Sequence, residues 1–271
     1  MSPQIAFLGA GNMASAIING LIAEGFSPKQ LRASDPSAEA LENLRGLGLS
    51  QLSTVGDDLF EGVDLVVAAV KPQIMPTALA SISSQLSAET ALLSIAAGIP
   101  IESLQRSAGC DVPIIRCMPN TPAMIGLGAS ALFAQDAVSQ EQRALAERVT
   151  NAAGMTVWVE REELLDAVTA VSGSGPAYFF ALIEAVAKAG TELGLDEDVA
   201  TALTLQTAMG AAALALRSEA GVAKLRENVT SPGGTTEQAL RSLKASQFDE
   251  VISDAVKQCA QRASALGKEF G

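Results

Sequence analysis

Gly9, Gly11 and Ala14 follow directly on the run Gln4 to Leu8 and lead into an Ala-, Ile- and Met-rich stretch that begins at Asn12. Strand, glycine turn and helix in that order are what binding of a pyrophosphate requires. Gly9 supplies the tight turn, Gly11 lets the backbone approach phosphate oxygens, and the negative charge meets the N-terminal end of a helix. Ala14 holds the third small position, where helix and strand must pack closely. A GxGxxA pattern alone is weak, because glycine-rich turns are common. Its placement between a strand and a helix makes it a dinucleotide-binding turn.

Two further glycine-rich stretches lie in the second half, SGSGPAY (Ser172 to Tyr178) and NVTSPGGTTEQAL (Asn228 to Leu240). Both read as helix entrances whose free N–H groups favour an anion such as a carboxylate. Thr235 and Thr236 add hydroxyl donors to the second. The same residues also fit plain capping, with Thr235 or Thr236 as N-cap and Glu237 or Gln238 completing a capping box. Glu162 stands in the charged run Glu160 to Glu163, where a solvated face competes with a binding role. Histidine is absent altogether, so neither an imidazole acid–base nor a histidine zinc ligand is available. Cys110, Cys117 and Cys259 are odd in number and lack CxxC spacing. They read as reduced core residues of a cytoplasmic protein, and not as a disulfide frame or zinc site.

The elements that must position these residues change character along the chain. In the first half, short apolar runs alternate with amphipathic segments. Leu31 to Ser34 reads as a second strand, Ser37 to Leu47 as a helix ended by Gly48, and Leu65 to Val70 as a central parallel strand. Leu92 to Gly98 and Pro113 to Asn120 look like two more strands. This alternation predicts an α/β, Rossmann-type doubly wound parallel sheet. Ligands of such sheets bind beyond the carboxyl ends of the strands, so Gly9 to Met13, Asp35, Lys71-Pro72, Ala96 to Gly98 and Pro119-Asn120 should converge on one crevice. Beyond Trp158 to Glu163 no convincing strand follows. Helices are expected from Gly175-Pro176, from near Asp196 to Asp198, and after Gly221 and Gly234. The chain is thus divided into a dinucleotide-binding domain, residues 1–160, and an all-helical domain, residues 161–271.

Val199 to Leu216 contains no charged residue before Arg217. A helix without a polar face is buried all round, and one small domain can hardly surround it. A second subunit is the expected cover, giving an intertwined homodimer. A membrane span is the rival reading, but this stretch is rich in Ala, Thr and Gly, and no other candidate span is expected. No signal peptide is recognised. At 271 residues with net charge −12 and no basic cluster, the chain is not expected to have nucleic acid or an anionic membrane as its main partner.

FLGAGNM, AVKP, SIAAG, RCMPNTP, SGSGPAY and SPGGTTEQALRSL, in that order from Phe7 to Leu243, resemble the pyrroline-5-carboxylate reductases. The threonine-containing segment Asn228 to Leu243 is the most diagnostic. The resemblance implies an oxidoreductase that passes a hydride from NADPH or NADH to the C=N carbon of 1-pyrroline-5-carboxylate, giving L-proline. It implies that Leu8, Gly9, Ala10, Gly11, Asn12 and Met13 cradle the pyrophosphate and that Asp35 falls where the adenosine ribose is read. Ala69, Val70, Lys71, Pro72, Ala96, Ala97 and Gly98 would line the cofactor groove, with Asn228 a further cofactor contact. Glu162, Thr235 and Thr236 match proline-contacting positions, and Thr236 the catalytic donor to the ring nitrogen. Whether dimers assemble into a higher oligomer is left open.

The missing histidine fits this chemistry, since a cyclic imine can arrive already protonated. Asp35 departs from a preference for NADPH: a carboxylate there suits the 2′-hydroxyl of NADH and repels a 2′-phosphate. A β-hydroxyacid dehydrogenase is the rival enzyme, but Lys188 and Lys224 lack the GxxxK setting of its acid–base lysine. A cofactor-binding regulator without turnover is the rival outside catalysis.

Overall fold

The structure is a computed structural model and describes residues 2–55 and 58–270. Eight strands form one sheet in the order β3-β2-β1-β4-β5-β6-β7-β8. They are β1 (Ile5–Leu8), β2 (Leu31–Ser34), β3 (Gln51–Ser53), β4 (Leu65–Ala68), β5 (Ala91–Ser94), β6 (Ile114–Met118), β7 (Gly128–Ala134) and β8 (Gly154–Trp158). The helices of this half are α1 (Asn12–Ala23), α2 (Ala38–Gly46), α3 (Met75–Ile82), α4 (Ile101–Ala108), α5 (Gln140–Asn151) and α6 (Leu164–Val168). After these come α7 (Gly175–Glu192), α8 (Glu197–Arg217), α9 (Val222–Asn228), α10 (Thr235–Ala245) and α11 (Phe248–Phe270).

β1, β4 and β5 are buried along their whole length, which is why they read as continuous apolar runs. Successive side chains feed two cores. Ile5 and Phe7 pack with Ile17, Ile18 and Leu21 of α1 on one face, while Ala6 and Val66 pack with Leu79 of α3 and Leu104 of α4 on the other. The strand order reverses between β1 and β4, the place where sheets of this kind bind ligands beyond the carboxyl ends of the strands.

The sheet is parallel from β3 through β6, but β7 runs antiparallel to β6, with β8 parallel to β7. The expected doubly wound parallel sheet is present, with one antiparallel pairing added at this edge. Three strands lay outside the sequence prediction for a physical reason. β3 is three half-buried residues, β7 (GASALFA) is dominated by small residues, and β8 alternates half-buried with exposed positions at the sheet edge.

The chain divides into two compact units, one running up to Ser174 and resuming at Cys259, the other Gly175–Gln258. The compact units part after Ser174, not at the expected domain division of 160/161, because α6 packs on β6 and β7, and the end of α11 belongs to the first unit. The second unit is helical throughout, with α7 packed along α8. Two stretches are long and apolar enough to cross a membrane by length and composition, Leu164–Glu192 and Glu197–Arg217. The second matches the uncharged segment; the first corrects the view that it stood alone.

Candidate active site

Gly9 has φ +102°, and a Cβ there would lie 2.8 Å from the Ala69 carbonyl oxygen, so only glycine fits. Its N–H donates to the Ser34 carbonyl (2.7 Å), the Ala69 N–H to Leu8 (2.8 Å) and the Ile95 N–H to Ala68 (3.1 Å). These bonds tie the carboxyl ends of β1, β2, β4 and β5 into one rim and bring the first four predicted segments together. A Cβ at Gly11 would meet nothing within 4 Å, and Gly11 is the N-cap of an α1 that carries no side-chain cap. Open space beside an uncapped helix N-terminus fits a pyrophosphate. Ala14 is fully buried, as close helix–strand packing demands.

Asp35 is half-buried and turned onto the backbone. Its Oδ2 accepts from the Ala10 N–H and its Oδ1 from the Ser37 N–H, both at 2.8 Å. Ser37 in turn caps α2 by accepting from the Ala40 N–H at 3.2 Å. The carboxylate therefore fixes the glycine turn, and the Ala10 N–H is already engaged. Gly11, Asn12 and Met13 are left as the backbone donors suited to a phosphate. Lys71 is exposed where the chain leaves β4, and Pro72 follows it into a short 3-10 turn. Gly98, at φ +76°, ends the Ala96–Gly98 loop against Leu266 of α11.

Asn120 joins the end of β6 to the SGSGPAY segment. Its Oδ1 accepts from the Ala129 N–H (2.8 Å) and its Nδ2 donates to the Ser172 carbonyl (3.1 Å). That segment is not the free helix entrance expected from sequence. α6 continues into a π turn, Thr169–Gly173, and the Ser174 N–H donates to the Thr169 carbonyl at 2.8 Å. Gly173 lies against the Met118 side chain, whose terminal methyl would have to move to admit a Cβ there. π turns of this kind often stand at functional sites.

Glu162 is not part of a solvated face. Its Oε1 accepts from Arg116 Nη1 and from the Ile101 N–H, each at 2.8 Å, and its side chain is 27% exposed. Arg116, in β6, is 8% exposed. Gly98, Arg116, Glu162, Asp166, Ser264 and Lys268 line one cavity of about 230 Å³. Burial pushes the Asp166 carboxyl up from its ordinary value, opposed by Arg116 and a Ser264 hydrogen bond. Arg116 was missed as a site residue. The available signal was an arginine inside an otherwise apolar strand, where a charge needs a partner.

In the second unit, Thr235 and Thr236 are the first two residues of α10, and neither is its N-cap. Gly234 holds that position without a side-chain bond, so the capping alternative is corrected. Glu237 accepts from the Gly233 N–H (2.6 Å) and from Arg241 (3.2 Å), which holds the glycine turn without help from either threonine. Among the described residues the two hydroxyls have no partner. Asn228 is the last residue of α9, also exposed. Of the cysteines, Cys117 is buried, and burial pushes its thiol up to about 12. Cys110 and Cys259 are only half-buried and correct the expectation of three core thiols.

Comparison with known proteins covers the whole chain. Residues 162–266 match the family model for pyrroline-5-carboxylate reductase dimerisation, and residues 4–98 that for coenzyme F420-dependent NADP oxidoreductase. A pyrroline-5-carboxylate reductase of Pseudomonas aeruginosa is 45% identical over 270 residues, covering 100% of this chain and 99% of its own. The solved structure of one from Coxiella burnetii superposes with TM-score 0.93 at 37% identity, covering 98% of this chain and 99% of its own. A Plasmodium falciparum pyrroline carboxylate reductase, solved with NADP bound, gives 0.86 at 29% identity, covering 98% of both chains.

Proposed function

The chain belongs to the pyrroline-5-carboxylate reductase family, and from that premise we propose which of its residues reduce 1-pyrroline-5-carboxylate to L-proline. The reaction is the last of proline biosynthesis, and NADPH or NADH supplies the hydride that adds to the C=N carbon. One further proton is taken up, so imine, reduced cofactor and H⁺ yield proline and oxidised cofactor. We assign the pyrophosphate to the turn Leu8, Gly9, Ala10, Gly11, Asn12 and Met13, with direct donation from the last three. Asp35 sets that turn and stands at the ribose end. Ala69, Val70, Lys71, Pro72, Ala96, Ala97 and Gly98 form the groove, and Asn228 is the further cofactor contact.

Thr235 and Thr236 are assigned to the substrate, with Thr236 as the donor to the ring nitrogen as hydride addition restores its lone pair. The observation that carries this is the freedom of both hydroxyls at an α10 entrance already capped by Gly234 and braced by Glu237. Glu162 joins them as the acidic contact. With no histidine in the chain, catalysis rests on placement and fixed dipoles, and a protonated imine brings its own proton. Loss of NADPH or NADH absorbance on addition of 1-pyrroline-5-carboxylate is the expected result. Turnover of a hydroxyacid with NAD(P)⁺ in its place would favour the dehydrogenase reading and overturn this one.

The second unit is read as half of an intertwined homodimer. Among the described residues of 175–258 only Gly175 and Ala200 are buried, while Phe179, Phe180, Leu203, Leu205 and Met209 are at least half exposed. A patch of that extent needs a partner surface. A second copy suits it better than lipid, because α8 is rich in Ala, Thr and Gly. Further assembly of dimers is compatible with this reading. Cytoplasmic residence belongs to it as well, since three thiols outside any disulfide suit a reducing compartment.

A further inference from the structure

Arg116 is costly where it stands. Its neighbours Ile114, Ile115 and Cys117 are buried apolar residues of β6, and a leucine or methionine would fill the same volume without desolvating a guanidinium. Its pairing is also unusual for a purely structural bridge. Arginine and carboxylate usually meet through two parallel bonds that use both oxygens. Here Arg116 Nη1 and the Ile101 N–H converge on the single Oε1 of Glu162. Among the described residues Oε2 has no partner, and the Arg116 Nε is buried without one. Glu162 thus has one oxygen clamped and one to offer, on the wall of a cavity it shares with Gly98, the end of the groove loop.

We propose that Arg116 is a positioning residue for the reductase reaction, holding the Glu162 carboxylate turned so that Oε2 serves as counter-charge to the cationic ring nitrogen of the substrate. This rests on the assignment of Glu162 to the substrate. The Ile101 N–H, on the first turn of α4, completes the clamp, and two fixed donors leave the carboxylate little rotational freedom. A fixed anion favours the protonated imine, the form that accepts hydride, and the secondary ammonium of the product. Much of the positive charge persists in the transition state for hydride addition, so the anion stabilises bound substrate and transition state to a similar degree. Its loss therefore raises KM for the imine more than it lowers kcat.

The test uses the full-length enzyme with Glu162→Gln, Arg116→Lys and the two combined, measuring imine kinetics, KM for NADPH and Tm. Glu162→Gln and Arg116→Lys should each lower kcat/KM for the imine about tenfold, chiefly through KM, with NADPH KM nearly unchanged. The combined variant should be no worse than Glu162→Gln alone, because both changes remove one interaction. Losses that multiply to about a hundredfold would overturn the proposal, as would wild-type kinetics for Arg116→Lys beside an impaired Glu162→Gln. Wild-type kinetics for Glu162→Gln would instead overturn the substrate role of Glu162 and this inference with it. Should a single variant unfold, Arg116→Met with Glu162→Gln removes both partners of the bridge and permits the same comparison. Kinetics equal to Glu162→Gln support positioning, and a further tenfold loss refutes it.

Discussion

Thr236 and Asp35 are both polar residues next to glycine-rich turns, yet the structure gives them different neighbours. Thr236 has none among the described residues, because Gly234 and Glu237 already satisfy the α10 entrance. Thr236→Ala should therefore leave Tm nearly unchanged while lowering kcat/KM for the imine by about 10- to 1000-fold, the range for loss of one positioned donor. A melt lowered by about 1 kcal/mol with near-normal kinetics is the signature of a lost cap and would return Thr236 to that role. Asp35 holds the Ala10 and Ser37 N–H groups, so its replacement has two consequences. Asp35→Ser should raise KM for both cofactors through a looser turn. It should also shift the NADPH-to-NADH ratio of kcat/KM toward NADPH by about tenfold, as repulsion of a 2′-phosphate is relieved. An unchanged ratio, measured with both cofactors on one preparation, would confine Asp35 to fixing the turn.

At the scale of elements, the apolar parallel strands were legible because burial on both faces erases alternation, and β1, β4, β5 and β6 stand where the runs placed them. β7 and β8 were not, since small residues in β7 and a half-exposed edge in β8 weaken each signal. The π turn at Thr169–Gly173 was hidden for another reason. SGSGP reads as a break, and the tertiary Asn120–Ser172 bond, with the Ser172 and Ser174 bonds back to Val168 and Thr169, goes with its helical form. α8 makes the strongest element-scale prediction. Ala212, in its second half, is exposed in one chain, yet the helix has no charge from Val199 to Leu216. Ala212→Glu should place an unpaired charge in a subunit interface and shift sedimentation toward smaller species or cause aggregation. Wild-type sedimentation and melting for this variant would show that α8 faces solvent.

For the whole molecule, the same exposure predicts that assembly and folding are linked. The wild-type protein should sediment as a dimer or larger, and dilution far enough to separate the copies should lower helical ellipticity together with activity. A stable, fully helical monomer would end the intertwined-dimer reading. What the chain determined by itself was local and periodic: the glycine turn, the buried strands, the helical second half, and motifs whose order carried the family. These are legible because turn geometry and burial act on residues close in sequence. Tertiary structure alone decided which donors meet which acceptors. Glu162 lies 46 residues from Arg116 and 61 from Ile101, so no local pattern could distinguish a clamped carboxylate from a solvated one. The same holds for Asp35, whose carboxylate reaches back 25 residues to Ala10 and thereby withdraws one N–H from the expected phosphate cradle. A hydrogen bond depends on ångström distances between chain segments, and those are set only once the sheet has fixed its strand order.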